Sequence, residues 1–165
     1  MEAEHLYKVE AWWTSGKTGI AKSVSAPNAI HFTAPTDFGG IEGRWTPEDL
    51  LLAALAGCFT TTFHAIATNS KFEYADLSVG VEGKVRKSEA GYEFYGIVTR
   101  PTLTIAKEEQ RQRAAVLLEK ARVLCLVSRV LSVEQEFAPQ VELGKHALIR
   151  GVRKTKAQQG GVLHG

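Results

Sequence analysis

Residues 50–59 read LLLAALAGCF, a run of ten side chains that carries no charge. These side chains fit a helix, and they occupy all of its faces rather than one stripe. A helix that is apolar all round is typical of a buried core element, so we expect this one to be covered on every side. A glycine such as Gly57 destabilises a helix interior by about 1 kcal/mol relative to alanine. Its presence here therefore indicates that a neighbouring backbone approaches too closely for a side chain.

The residues just before this run are typical of a helix start. Thr46 can act as the N-cap, and Pro47 suits the first helical position. Glu48 and Asp49 place negative charge at the N-terminal end of the helix dipole, where it is favourable. The sequence therefore predicts a helix that begins at Pro47, after the N-cap Thr46, and runs to about Thr68.

On the N-terminal side of this helix, the pattern favours strands. Three short segments rich in β-branched and aromatic residues are separated by the turn SGKTG and by a Pro-Asn pair, and they cover residues 5–14, 20–26 and 29–34. Three glycines make residues 35–44 a loop. The first part of the chain is thus predicted to be a strand meander.

Beyond the helix, the pattern predicts a hairpin. Residues 77–86 alternate between apolar and polar, residues 92–105 are rich in strand formers, and a turn sequence lies at residues 88–91. Pro101 predicts an edge position or a bulge late in the second strand, because proline cannot donate a hydrogen bond to a sheet.

A second helix is predicted to begin near Lys107. Its apolar positions recur every three or four residues and form one stripe, namely Ala114, Leu117, Leu118, Ala121, Leu124 and Cys125. A last strand follows over residues 133–143, interrupted by Pro139. This order predicts a single α+β domain over residues 1–144. Residues 145–165 are basic and rich in glycine and glutamine, which predicts a loosely ordered tail.

Charge and composition argue against several classes of partner. The chain has 20 basic and 18 acidic residues, and the net charge of +2 leaves no concentrated basic face for nucleic acid. No apolar run reaches the roughly 20 residues that span a bilayer, and the N-terminus lacks the apolar core of a signal peptide. We therefore expect a cytoplasmic protein with no nucleic-acid or membrane partner. Because thiols in that compartment are kept reduced, Cys58 and Cys125 are interpreted as free or catalytic thiols.

Each of these cysteines lies in a recognisable motif. The first motif is PEDL at residues 47–50, followed by small residues and then Cys58-Phe59. The second is Cys125 with Ser128 in the apolar stretch CLVSRVL. In residue type and spacing, the two motifs resemble the signatures of the OsmC/Ohr family (osmotically inducible protein C and organic hydroperoxide resistance proteins), over about residues 5–143. The resemblance implies an OsmC-like fold and an intertwined homodimer.

The same resemblance implies a thiol peroxidase whose substrates are organic hydroperoxides. Cys58 would be the thiol that attacks the peroxide and becomes a sulfenic acid, and Cys125 would condense with it to form a disulfide. A dithiol, which in this family is typically dihydrolipoamide, would then reduce the disulfide. No metal, flavin or nucleotide cofactor is implied.

A Cys58 thiolate would need electrostatic help, because burial raises the pKa of a thiol and the helix dipole does not act three turns into a helix. The family supplies an arginine in the first strand turn, held by the glutamate that corresponds to Glu48. The matching residue here is Lys17, which supplies charge without the planar fork of arginine. Glu48 and Cys58 are about 15 Å apart along one helix, so a shared site would require Glu48 of a second subunit.

Other interpretations stay open at this point. Both cysteines could be inert packing residues. Glu48 could be only a helix-start carboxylate, and Lys17 a solvated turn lysine. The main alternative is a non-catalytic OsmC-fold protein that binds an apolar ligand, favoured by the missing arginine and by Leu126, where many members have a proline. A third interpretation is a thiol redox sensor that uses the same disulfide as a signal.

Overall fold

The computed structural model describes residues 4–14 and 16–144 of the chain. The predicted tail over residues 145–165 lies outside the described residues. In chain order the elements are β1 (Val9–Trp13), β2 (Gly19–Ser23), β3 (Ile30–Phe32), α1 (Pro47–Asn69), β4 (Asp76–Ser88), β5 (Gly91–Ile105), α2 (Arg111–Leu124), α3 (Leu126–Val130), β6 (Gln135–Phe137) and β7 (Gln140–Leu143). Single 3-10 turns over Thr36–Phe38 and Glu108–Gln110 precede α1 and α2. This is the α+β order that the sequence predicts.

Helix α1 begins where the sequence predicts it. The Thr46 hydroxyl accepts a hydrogen bond from the Asp49 N–H at 3.2 Å, and the Asp49 carboxylate accepts one from the Thr46 N–H at 2.9 Å. This reciprocal capping box satisfies two N–H groups that have no carbonyl partner within the helix. Pro47 occupies the first turn, and the helix continues to Asn69, one residue beyond the predicted end.

Strands β1, β2 and β3 form an antiparallel sheet in that order. All three predicted strands are present, and each is shorter than predicted. Every residue of β1 is exposed, including Trp12 and Trp13, whose side chains point to opposite faces of the sheet. Among the described residues, these three strands make extensive contacts only with one another. One chain therefore leaves both faces of β1 uncovered.

The second sheet is built around β5. Strands β4 and β5 form the predicted antiparallel hairpin, which closes at Gly91 with a φ of 117°, a conformation that glycine adopts without strain. On the other side of β5, the short strands β6 and β7 pair with it in parallel. The predicted last strand is thus present, and it is interrupted near Pro139 as expected.

Pro101 lies inside this sheet, so the prediction of an edge position or a bulge is wrong. It is opposite Val79 of β4, and it is fully buried. On the other side of β5, pairing with β6 ends at Thr99 and pairing with β7 begins at Thr102. A residue that cannot donate is accommodated where the flanking ladder is interrupted. The irregularity in the hairpin lies elsewhere, between Lys84 and Val85.

The second helical segment differs from its prediction at its C-terminal end. The stripe of α2 is buried at Ala114, Leu117, Leu118 and Ala121, as predicted. Leu124, by contrast, is 47% exposed, because the chain leaves the helix at Cys125. Cys125 has an extended conformation (φ −62°, ψ 112°), and α3 starts at the next residue. Cys125 is therefore fully buried between two helices, not within one.

The core lies between one side of α1, the second sheet and α2. Its central side chains include Leu55, Phe59, Phe63, Ile97, Leu103 and Leu118. The other side of α1 is open in a single chain. Gly57 is exposed, and a Cβ placed there would meet no atom within 4 Å. The predictions of burial on every side and of a close backbone at Gly57 are thus wrong within one chain, because one sheet and one helix cover only one side.

Helix α1 also bears on the membrane prediction. By length and composition it is long and apolar enough to cross a bilayer, although the uncharged run considered in the sequence covers only part of it. The core helix of a folded domain can meet the same criterion. Here the buried side chains of α1 pack on the sheet and on α2.

Candidate functional site: the Cys58–Cys125 thiol pair

The fold brings the two cysteines of the chain into contact. Cys58 lies on the side of α1 that carries Leu55 and Phe59 into the core. Cys125 lies at the junction between α2 and α3, which packs against α1. The two side chains share a hydrogen bond, and both thiols are free. Cys58 is half-buried, whereas Cys125 is fully buried, so only Cys58 is open to a reactant.

Hydrogen bonds from α3 and α1 set the acidity of Cys58. Burial is the largest single influence and raises its pKa. The Val127 N–H, whose nitrogen is 3.5 Å from Sγ, lowers it, as do the Cys125 thiol, the Thr62 hydroxyl and the Leu126 N–H. Together these donors hold the pKa of Cys58 below its ordinary value, because each favours the thiolate.

The acidity of Cys125 changes in the opposite direction. Burial is again the largest influence and raises its pKa. The Ser128 N–H lowers it, but the hydrogen bond to Cys58 and the negative charge of a Cys58 thiolate raise it further. The net result is a pKa above the ordinary value. The pair therefore consists of one thiol that ionises more readily than an ordinary cysteine and one that ionises less readily.

Helix α3 is held to the sheet by one side chain. Gln135 of β6 donates to the carbonyl oxygens of Ser128 and Leu131 at 2.9 and 3.1 Å, and it accepts a hydrogen bond from the Ser128 hydroxyl at 2.6 Å. These bonds fix the position of the short helix. The backbone N–H groups at the start of α3 are thereby held beside Cys58.

A small cavity of about 110 Å³ is lined in part by Cys125. Ser128, Gln135 and Phe137 are among the residues that line it. Arg122 also lines the cavity, where it pairs with Glu119 at 2.9 Å and lies over the Phe137 ring.

Glu48 lies in a different place. It lines a cleft of about 520 Å³ between the Thr36–Phe38 turn, the start of α1 and the tip of the β4–β5 hairpin; Phe38, Arg86, Tyr92 and Phe94 also line it. One carboxylate oxygen of Glu48 is buried and accepts no hydrogen bond from the described residues. Neither cysteine lines this cleft. Within one chain, Glu48 is thus not part of the thiol pair, as the spacing along α1 predicts.

Lys17 lies near the Thr36–Phe38 turn, which forms one wall of that cleft. Its Nζ is 3.9 Å from the position that a Cβ on Gly39 would occupy, and Gly39 follows the turn that forms one wall of the cleft. The Lys17 carbonyl accepts a hydrogen bond from the buried Thr33 hydroxyl at 2.7 Å. The four residues selected from the sequence therefore divide into a thiol pair, Cys58 with Cys125, and a cleft region with Glu48 and Lys17.

Of the four groups that lower the pKa of Cys58, the sequence motifs identified the Cys125 thiol and missed the other three. Two of them are the backbone N–H groups of Leu126 and Val127, which no side-chain pattern reveals. The third, Thr62, follows Cys58 by one helical turn, and that spacing could have pointed to it. The aromatic pair at the cleft, Phe38 and Tyr92 with ring centroids 4.8 Å apart, was not selected either.

Comparison with known proteins gives consistent results. The family model of OsmC-like proteins matches residues 39–138. The chain is 25% identical over 147 residues to the uncharacterized protein YmaD of Bacillus subtilis, covering 86% of this chain and 98% of that protein. It is 26% identical over 122 residues to the organic hydroperoxide resistance protein of Xanthomonas axonopodis pv. citri, covering 73% of this chain and 83% of the relative.

Solved structures share the fold at lower identity. An organic hydroperoxide resistance protein OsmC from Legionella pneumophila superposes with a TM-score of 0.68 at 22% identity, covering 86% of this chain and 99% of that one. An OsmC-like protein of unknown function from Vibrio cholerae superposes with a TM-score of 0.71 at 15% identity, covering 82% and 99%. The α+β fold predicted from the sequence is therefore confirmed. Both cysteine motifs lie inside the matched residues 39–138, and the chain belongs to the OsmC-like protein family.

Proposed function

We propose that this protein is a thiol-dependent peroxidase that reduces organic hydroperoxides to alcohols. The observation that carries the proposal is the contact between Cys58, whose pKa is lowered, and Cys125, whose pKa is raised. A peroxidase of this type needs one thiol that is ionised at neutral pH and a second that attacks only after the first is oxidised. Relatives that are named organic hydroperoxide resistance proteins support the choice of substrate class.

The proposed reaction has three steps. The Cys58 thiolate attacks the terminal oxygen of the hydroperoxide, the O–O bond breaks, and the alkoxide takes a proton to leave as an alcohol. The resulting Cys58 sulfenic acid is attacked by the sulfur of Cys125, which forms the S–S bond and releases water. A dithiol such as dihydrolipoamide then reduces the disulfide by exchange and becomes a disulfide itself.

The proposal includes a homodimer in which each site is shared. The open side of α1, where Ala54 and Gly57 are exposed, and the exposed apolar side chains of β1 are surfaces that a second copy of the chain would cover. Glu48 and Lys17 of one protomer would then lie beside Cys58 of its partner. The unsatisfied carboxylate oxygen of Glu48 supports this arrangement, because a buried acceptor needs a donor. Phe38, Tyr92 and Phe94 would contact the apolar part of the hydroperoxide.

Steady-state kinetics test the proposed function. Reduced protein is mixed with cumene hydroperoxide and excess dihydrolipoamide, and loss of peroxide is followed over many turnovers. Continuous consumption that is abolished in Cys58→Ser supports the peroxidase. One stoichiometric oxidation without turnover would instead indicate a thiol redox sensor, and no reaction would indicate a non-catalytic binding protein. Either of those two results overturns the proposal.

A further inference from the structure

The charge of the chain is divided unequally between the domain and its C-terminal segment. Residues 145–165, here called the basic tail, contain no acidic residue and five basic ones, namely Lys145, Arg150, Arg153, Lys154 and Lys156. Since the whole chain has 20 basic and 18 acidic residues, residues 1–144 contain 15 basic and 18 acidic residues. The small net charge of +2 therefore combines an acidic domain with a basic tail that joins it at Gly144.

The sheet beside this junction has a face that points away from the helices. Leu77 and Val79 of β4 pack against the core, and residues alternate between the two faces of a strand, so Gly80 and Glu82 point to the opposite, outer face. Among the described residues, only the Arg100 carbonyl oxygen lies within 4 Å of a Cβ placed on Gly80, at 3.9 Å. The outer face is thus uncovered in one chain. The proposed dimer also leaves it open, because that dimer uses α1 and the other sheet.

Three exposed carboxylates lie on this outer face, and together they are called the acidic face. Glu82 of β4 and Glu136 of β6 are both neighbours of Val98 on β5, so they lie in one row across the sheet. Glu142 of β7 lies six residues further along β5, at the end where the tail begins. Among the described residues, Glu82 pairs with Arg100 at 3.3 Å, whereas no ion pair involves the other two. Two carboxylates beside the start of the basic tail therefore have no cation of the described domain as a partner.

We propose that the basic tail folds back onto its own domain and binds the acidic face. Glu142 precedes Gly144 by two residues, so Lys145 would be close to it. The row that contains Glu136 lies about 20 Å further along the sheet, because a strand advances about 3.3 Å per residue. An extended chain covers that length within about six residues, so Arg150 and the cations after it can reach this row. Each exposed ion pair is weak, but the tether raises the effective concentration of the tail, so several pairs act together.

Paramagnetic broadening in NMR spectra tests the contact in the full chain. A nitroxide is attached to Val152→Cys of a ¹⁵N-labelled chain in which Cys58→Ser and Cys125→Ser remove the other thiols. At low salt we expect loss of the Gly80 amide signal, and we expect its recovery at high salt, because salt screens exposed charges. A Gly80 signal that is fully retained at low salt would overturn the proposal.

Carboxylate variants of the labelled chain show whether charge causes the contact. Glu136→Gln with Glu142→Gln should restore the Gly80 signal at low salt. The matched control is Glu10→Gln with Glu89→Gln, which removes the same charge from exposed positions on β1 and in the hairpin turn. The control should keep the loss of signal. Broadening that is equal in both double variants would contradict binding to the acidic face.

Two further measurements identify other occupants of the face or of the tail. When nitroxide chains without ¹⁵N are mixed with ¹⁵N chains without nitroxide, the Gly80 signal should be retained; its loss would assign the contact to the tail of a second copy. At low salt the wild type should bind a short DNA duplex more weakly than Glu136→Gln with Glu142→Gln, relative to the Glu10 and Glu89 control. Equal affinity of the variant and the control would show that the tail is free to bind nucleic acid. Either result overturns the proposal.

A second variant covers the case in which the chain without its two native thiols does not fold. Glutamine replaces all five basic residues of the tail in an otherwise unchanged chain. The amide shifts of Gly80 and Glu142 should then differ from those of the wild type at low salt and agree with them at high salt. Identical shifts at low salt would contradict the proposal. These readouts use neither peroxide nor the thiols, so their outcome is independent of the proposed function.

Discussion

Cys58 and Cys125 share a hydrogen bond, and folding changes their pKa values in opposite directions. Burial raises both, but Cys58 receives the backbone N–H groups of Leu126 and Val127, while Cys125 faces the charge of the Cys58 thiolate. The pair therefore combines a thiol suited to act as the nucleophile, Cys58, with a thiol suited to attack it after oxidation, Cys125. This division of roles is the basis of the predictions on reactivity and pH.

The first prediction concerns the intermediate. Cys125→Ser should consume about one equivalent of hydroperoxide per chain and stop, because the sulfenic acid on Cys58 has no thiol to attack it. Dimedone labelling and mass spectrometry should place the adduct on Cys58, and Cys58→Ser should give no adduct. An adduct on Cys125 in the wild type would reverse the assignment of the two roles.

The second prediction concerns stability and pH in the reduced protein. Because the pKa of Cys125 is raised by folding, its thiol stabilises the fold below the unfolded-state pKa, and this contribution is lost as pH rises through the folded pKa. The pKa of Cys58 is lowered, so its thiolate contributes above the unfolded-state pKa, and this contribution is lost as pH falls through the folded pKa.

Thermal unfolding between pH 7 and about pH 10 measures both effects, since an ordinary thiol titrates near 8.5. The wild-type Tm should fall relative to that of Cys125→Ser as pH rises. It should rise relative to that of Cys58→Ser over the same range. Differences in Tm that do not change with pH would show that the two thiols titrate as they do in the unfolded chain.

The third prediction concerns Lys17. If Lys17 of one protomer lies near Cys58 of its partner, Lys17→Met should slow peroxide reduction about tenfold. Two unit charges 4 Å apart attract by roughly 4 kcal/mol at an effective dielectric of 20. Because about a third of that energy lowers the pKa of the Cys58 thiol by about one unit, losing it should cost about a factor of ten in thiolate population. Lys17→Arg should keep or increase the rate, because arginine can contact carboxylate and sulfur together.

Lys71→Met is the matched control for the loss of one positive charge, because Lys71 is exposed just beyond the C-terminal end of α1 and lies outside both the β1–β3 sheet and the thiol pair. Its rate should equal that of the wild type. If Lys17→Met also keeps the wild-type rate and the wild-type titration of Cys58, Lys17 is a solvated turn residue. Arg44 would then be the next cation to replace.

The fourth prediction concerns the open side of α1. Sedimentation equilibrium at micromolar concentration should give twice the chain mass of 18.0 kDa. Gly57→Leu should shift the protein toward the chain mass, whereas Gly57→Ala should shift it less. Within one chain neither side chain would meet a neighbour at its Cβ, so both variants should stay helical. A folded wild-type monomer would exclude the shared site.

Local sequence determined the secondary structure to a large extent. The start of α1 follows from Thr46, Pro47 and Asp49, whose capping interactions involve only neighbouring residues. The hairpin follows from apolar residues that recur at every second position, and the buried stripe of α2 follows from apolar residues that recur every three or four positions. The family also followed from sequence, because its motifs combine residue types at short spacing. Each of these features depends on contacts over a few residues.

Tertiary structure decided the features that depend on distant parts of the chain. Pro101 is in the middle of a sheet because β6 and β7 leave a gap opposite it. Cys125 ends a helix instead of lying within one, and after this break the Val127 nitrogen lies 3.5 Å from the sulfur of Cys58, which is 69 residues away in the chain. A backbone N–H is common to every residue except proline, so side-chain patterns cannot show where it points. Only the packing of α3 against α1 makes it a donor to sulfur.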